Sequence, residues 1–172
     1  MSVQTNQITN ANVYVNGNNM LGRASEVDAP KPMAKMLVYK ALGLIGEFDL
    51  PAGFEKMEMR IKWNAFYQDV FAAFSDPYTP IKLQIRSSLE VWEGGERTAE
   101  KACVIYATCQ SKGFPLGNFK QQDNVELESN LSCSHCKMEI DGVEVLEVDF
   151  MNNIFKVNGQ DKLAQYRANI GG

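Results

Sequence analysis

Lys56-Met57-Glu58-Met59-Arg60-Ile61-Lys62-Trp63 is the stretch that decides the fold class. Four apolar side chains alternate with four charged ones, and a period of two puts one apolar face opposite one charged face of a β-strand. The pattern recurs downstream, where Ile81, Leu83 and Ile85 alternate with Lys82, Gln84 and Arg86, and Leu89 and Val91 extend the apolar side. Glu93-Gly94-Gly95-Glu96 then makes a turn. Residues 98–110 are apolar on both sides, the mark of a central buried strand. A long strand is expected over 124–140, followed by a turn at Asp141-Gly142, a strand over 143–148, a turn at Asn152-Asn153 and a strand over 154–157. Asn158, with Asp161 three residues on, reads as the cap of a short C-terminal helix whose Leu163 and Tyr166 face the core.

Upstream, Val13-Tyr14-Val15 runs into Asn16-Gly17, a pair suited to the positive φ angles of a tight hairpin, and a partner strand is expected over 20–27. Residues 33–63 read as one long hairpin. Its outgoing arm is 36–44, its tip contains Gly43, Gly46, Pro51 and Gly53, and its return arm is the alternating stretch above. A helix is expected over about 65–75, with Asn64 as cap, a stripe of Phe66, Val70, Ala73 and Phe74, and a stop at Ser75-Asp76-Pro77. The sum is a mainly β chain. It reads as a single domain over 1–172, an antiparallel β sandwich or barrel with one internal helix, a long hairpin and a short C-terminal helix.

Composition narrows the function. Hydrophobic residues make up 45% and charged residues 22% of the 172, enough for one soluble domain with a sizeable core. A net charge of −4 with no basic cluster gives no general attraction for nucleic acid. No stretch approaches the roughly 18 apolar residues of a membrane helix, so no membrane insertion is expected. The opening Met1-Ser2-Val3-Gln4-Thr5-Asn6 lacks the basic start and apolar run of a secretory leader. Synthesis in a cytoplasm is therefore the expectation, and Cys103, Cys109, Cys133 and Cys136 read as reduced thiols.

Cys133-Ser134-His135-Cys136 has the spacing of half a zinc site. On a regular strand, however, Cys133 and Cys136 point to opposite faces, and no Gly or Pro supplies the turn a zinc knuckle needs. His135 is the only histidine, and no G-x-S-x-G, phosphate-binding or dinucleotide-binding glycine motif accompanies it. The sequence thus yields no catalytic residue, no metal ligand set and no cofactor, and the chain does not read as an enzyme.

The hairpin remains. Its faces are too extended for one small domain to cover, and its edges are left unpaired. Met36, Val38, Met57, Met59 and Ile61 are the candidates for a joint to the same hairpin of a neighbouring copy, which repeated about an axis gives a ring. Folding of the hairpin back over its own barrel is the alternative left open by the residues alone. A ligand-binding β barrel is a further reading of a different class.

The chain resembles the major tail tube proteins of contractile-tailed bacteriophages and the related R-type pyocin tube subunits. The likeness lies in Ile8-Thr9-Asn10-Ala11-Asn12-Val13-Tyr14-Val15-Asn16-Gly17, in the proline-interrupted entry before Lys35 and Tyr39, and above all near the C-terminus. There it comprises Lys137-Met138-Glu139-Ile140-Asp141-Gly142, Glu144-Val145, Glu147-Val148-Asp149, Asn153, and Val157-Asn158-Gly159-Gln160-Asp161-Lys162-Leu163-Ala164-Gln165-Tyr166-Arg167. In that family, adjacent glycines often follow the hairpin tyrosine. Here Gly43 and Gly46 are separated, so a different hairpin tip is expected.

The resemblance implies a structural virion protein whose hexameric rings stack into the inner tube of a contractile tail. The implied partners are other copies of itself, a tail sheath protein, and tape-measure and baseplate proteins, with DNA passing transiently through the lumen. A genome-free bacteriocin particle is the alternative within that class. The arms near 33–62 would line the lumen or hold neighbours, with Glu47, Asp49, Glu55, Lys56, Glu58, Arg60 and Lys62 as candidate lumen-facing residues.

Overall fold

A computed structural model describes residues 3–172; Met1 and Ser2, where the leader reading begins, lie outside the described residues. The elements are β1 (Gln4–Gln7), β2 (Ala11–Val15), β3 (Asn18–Asn19), β4 (Ala24–Asp28), β5 (Ala34–Tyr39), β6 (Phe48–Phe54), β7 (Met57–Trp63), α1 (Gln68–Ser75), β8 (Ile81–Glu93), β9 (Glu96–Ser111), β10 (Leu127–Ile140), β11 (Val143–Asp149), β12 (Ile154–Val157), β13 (Gln160–Asp161) and α2 (Ala164–Ile170). The chain is mainly β and its ladders are antiparallel.

Short turns set the registers. Asn16-Gly17, Asp141-Gly142 and Asn158-Gly159 all sit at positive φ on both residues, the geometry of a two-residue hairpin that matches strand twist. The first joins β2 to β3 and the second joins β10 to β11. The third joins β12 to β13, so Asn158 is a turn residue and not a helix cap. Helix α2 starts beyond Leu163, where Asp161 accepts the Leu163 N–H and pairs with Arg167. Leu163 is half-buried, while Tyr166 is exposed rather than core-facing.

Strands β8, β9 and β10 form the spine of one eleven-stranded sheet. One edge of β8 takes β9 along its whole length, and the other takes β2 near Ile85 and β1 near Val91. The free edge of β10 is shared in the same way, by β7 over 127–133 and by β11 over 135–140. The sheet therefore fans out at both ends around one core. Among the described residues no ladder joins β3 to β4, so the sheet does not close into a barrel.

The core gathers Met57, Met59, Ile61 and Trp63 of β7 with Ile81 and Leu83 of β8, Leu127 and Leu131 of β10, and Val13 and Val15 of β2. Each such side chain contributes about 1.5–3 kcal/mol on leaving water. Trp63 packs edge-on against Phe74 of α1 at 5.6 Å and donates its indole N–H to Ser129 Oγ at 2.9 Å. Trp63, Phe74 and Ser129 are all fully buried, so this polar contact satisfies two groups that water cannot reach.

Several expectations are corrected. The hairpin of 33–63 is shorter: β5 pairs with β6 as a separate two-stranded sheet, and β7 pairs with β4 and β10 in the main sheet. Met57, Met59 and Ile61 of β7, expected at a joint to a neighbour, are sealed in the subunit's own core. The expected strand over 20–27 is broken by a turn at 21–23. Helix α1 begins at Gln68, after Tyr67, with no side-chain cap. Asn64 instead donates to the Gly22 carbonyl and accepts the Tyr67 hydroxyl, which ties the helix entry to the main sheet. Phe66 of the expected stripe is exposed, whereas Val70 and Phe74 are buried. Strand β9 is central, but only its Cys103, Ala107, Cys109 and Ser111 side is fully buried.

The cysteines also differ from expectation. A register shift in β10 between Cys133 and His135 turns the strand by one residue, so Cys133 and Cys136 both point into the core. Cys133 lies opposite Cys109 on β9, and the two form a disulfide, where four thiols were expected. Cys103 and Cys136 are free and buried, and burial pushes the Cys136 thiol up to about 11.

Candidate functional site

Strands β5 and β6 pair only with each other. A lone two-stranded hairpin is marginal in water unless something covers it. Here the body does not cover it: every side chain from Ala34 to Ala52 is exposed.

The register decides what each face presents. Leu37 lies opposite Leu50 and Tyr39 opposite Phe48, and directly opposed residues share a face. These four make one wholly apolar face, with the Tyr39 and Phe48 rings 5.4 Å apart. Val38 lies opposite Asp49 and Met36 opposite Pro51, which makes the second face mixed. Met36 and Val38, read as joint residues, therefore share a face with Asp49, read as a lumen residue. In the sequence the face of Leu37, Tyr39, Phe48 and Leu50 is hidden, because apolar residues on both sides of the strands mask the period of two. Their signal was the pairing of two aromatic or aliphatic positions across the turn. At the tip, Leu42 and Ile45 are fully exposed, and Lys40 pairs with Glu47 at 2.8 Å.

Ten large apolar side chains between Met33 and Leu50 face water. At roughly 80–100 Å² each, half of what a buried aromatic removes, they amount to about one partner's share of a standard protein interface, ~800 Å². Monomers rarely leave that much contiguous apolar surface uncovered.

The two strands differ as edges. Pro51 has no backbone donor and Gly53 sits at φ 84, which interrupts β6. Strand β5 carries no proline, so it is the better edge for an added strand.

The charged face of β7 lies apart from the hairpin. Arg60 pairs with Glu26, Asp28 and Glu128, and Lys62 with Glu26. Glu58 is held between Lys112 and Lys56, whose ammonium groups, Lys112 first, lower its carboxyl to about 2. Glu58, Arg60 and Lys62 are thus engaged within the subunit, while Glu47 and Asp49 ride on the hairpin and Glu55 and Lys56 lie at its base.

His135 Nε2 lies 3.2 Å from Glu147, whose other oxygen pairs with Lys156 at 2.6 Å, on the outer side of β10–β12. Among the described residues no cluster of three or more His, Cys, Asp or Glu is placed to hold a metal, and no helix is long and apolar enough to cross a membrane.

The chain matches the family described as phage tail tube protein FII over residues 5–171. It is similar to the tail tube protein of Escherichia phage P2, with 28% identity over 166 residues, which covers 93% of this chain and 94% of that protein.

Proposed function

The chain belongs to the phage tail tube protein FII family, and from that premise we propose that it is the repeating subunit of the inner tube of a contractile tail. Copies assemble as hexameric rings, and the rings stack into a hollow tube. The observation that supports this most is the β5–β6 hairpin, which is apolar on one full face and covered by nothing in its own subunit. A neighbouring copy that takes the Leu37, Tyr39, Phe48 and Leu50 face removes that surface from water. The same contact repeated about an axis closes a ring.

The function has no chemical step. The subunit presents repeating contacts and an inner wall. With the apolar face turned to the neighbour, the opposite face, carrying Asp49, with Glu47 at the tip and Glu55 at the base, is turned to the lumen. Glu47 is paired with Lys40, so the repulsion of phosphates rests on Asp49 and Glu55, and with no unbalanced basic cluster on the hairpin DNA passes without tight contacts. The outer surface meets a sheath protein, and the tube ends meet tape-measure and baseplate proteins. The particle is the virion tail, and the subunit is made in the host cytoplasm before assembly.

Electron microscopy of the purified chain at rising concentration tests the proposal. Hollow rings or tubes with six subunits around are expected. A monomer at every concentration, with or without added baseplate as a nucleus, contradicts it.

A further inference from the structure

The chain carries both an apolar knob and an apolar cleft, at different places. The knob is the hairpin tip, where Leu42 and Ile45 are fully exposed and Leu44 is half so. The cleft lies at the hairpin base, where two hollows of about 510 and 500 Å³ meet along Gly53, Phe54 and Leu163. One is walled by Tyr166 of α2, the other by Phe155 of β12. Phe54 packs edge-on against Phe155 at 5.0 Å and forms the floor.

The polar groups at the rim are already occupied. Asp149 accepts the backbone N–H groups of Met151 and Asn152, and the Asn153 carbonyl accepts from Arg167. What remains open is apolar, and a hollow of ~150 Å³ already holds a benzene-sized group. Two or three aliphatic side chains fit.

The knob cannot reach its own cleft. The arm from Ala34 to the tip at Gly43 is ten residues, roughly 30 Å when extended, and it leads away from the base. A knob and a matching hole on different parts of one molecule make a head-to-tail contact between copies. The interface area argues for the same occupant: the hairpin alone supplies about one partner's share of a standard interface, and the cleft continues that surface past Ala34, Pro51 and Gly53.

We propose that the hairpin tip of one copy, through Leu42 and Ile45, seats in the cleft between β6, β12 and α2 of a second copy. This deepens the tube reading and rests on it for the ring geometry. It gives α2 a role: Tyr166, left exposed in the subunit, becomes a wall of the socket. It also accounts for the shape of the tip, where Gly43 at φ 89 lets the chain bend so that Leu42 and Ile45 both project.

The test mixes two full-length variants, Ile45→Cys carrying an affinity tag and untagged Tyr166→Cys, and oxidises them with a copper–phenanthroline catalyst. The remaining native thiols, Cys103 and Cys136, are buried and serve as the background in wild type. A tagged–untagged cross-linked dimer, absent when either variant is mixed with wild type, is expected. Leu42→Asp/Ile45→Asp and Tyr166→Glu should each raise the concentration needed for assembly more than about tenfold, and combining them should add little. Tubes from the mixed variants with no mixed cross-link overturn the knob-and-cleft contact and leave the tube reading standing. A mixed cross-link with no tubes in wild type supports the contact and removes the tube reading.

Discussion

Leu37→Asp/Leu50→Asp separates a hairpin that serves assembly from one that serves folding. Leu37 and Leu50 are 55% and 45% exposed and lie opposite each other on the wholly apolar face. In the free subunit their replacement removes little burial, and surface changes of this kind usually stay within about 0.5 kcal/mol. At a joint the missing half of the burial counts. Full burial of a leucine is worth about 1.5–3 kcal/mol, so half of it for two residues gives about 1.5–3 kcal/mol per joint. Two carboxylates pressed into an apolar contact add a desolvation cost on top. At about 1.4 kcal/mol per factor of ten, the concentration for assembly rises roughly 10- to 150-fold or more. The assay pairs a thermal melt of the dilute subunit with sedimentation of assembled material across concentration. An unchanged melt with lost sedimentation is the expected pair. Assembly at the wild-type concentration shows that this face is not a joint between subunits. So does a melt lowered as far as that of a core variant such as Ile61→Asp, because it shows the hairpin packed on its own body.

Three further predictions concern the subunit itself. Ser129→Ala strands the buried Trp63 N–H, which now bonds Ser129 Oγ at 2.9 Å; urea unfolding should show a loss of about 1–3 kcal/mol. Glu58 is held at about 2 by Lys112 and Lys56, below its ordinary 4.5. The depressed carboxyl favours the folded state above pH 4.5, and that contribution is lost as pH falls from 4.5 towards 2. Lys112→Met should move its midpoint upward in a carboxyl NMR titration, and an unmoved midpoint shows that Lys112 is not the cause. Alkylation of the unfolded, unreduced chain should label two cysteines, and after reduction four, because Cys109 and Cys133 are joined across 24 residues. A closure of that length contributes about 3–4 kcal/mol, so a reductant should lower the melting temperature by roughly 10 °C.

The strands were legible where one face meets the core and the other meets water. The alternation at 57–63 and 81–85 reports burial directly, and β7 and β8 are buried on those faces. The turns were legible where Asn-Gly or Asp-Gly supplies positive φ. Partner choice was not. Proximity made β7 look like the return arm of the hairpin, yet it pairs with β10, about 70 residues away, because only there does its apolar face meet Leu127 and Leu131. A single-residue register shift at Ser134 was equally invisible, and it decides that Cys133 and Cys136 share a side. At the C-terminus Asn158-Gly159 fits both a cap and a turn, and only the short β13 ladder distinguishes them. The register of the β5–β6 hairpin was hidden for a physical reason: every side chain from Ala34 to Ala52 is exposed, so neither face carries a burial pattern of its own.

A cryo-electron microscopy reconstruction of the assembled particle that resolves single strands tests most directly whether the hairpin joins subunits into a tube. Six subunits around a hollow axis are expected, with each β5–β6 hairpin packed on the next subunit through Leu37, Tyr39, Phe48 and Leu50. A hairpin folded against its own subunit, or standing free in solvent while the rings are held elsewhere, contradicts this joint.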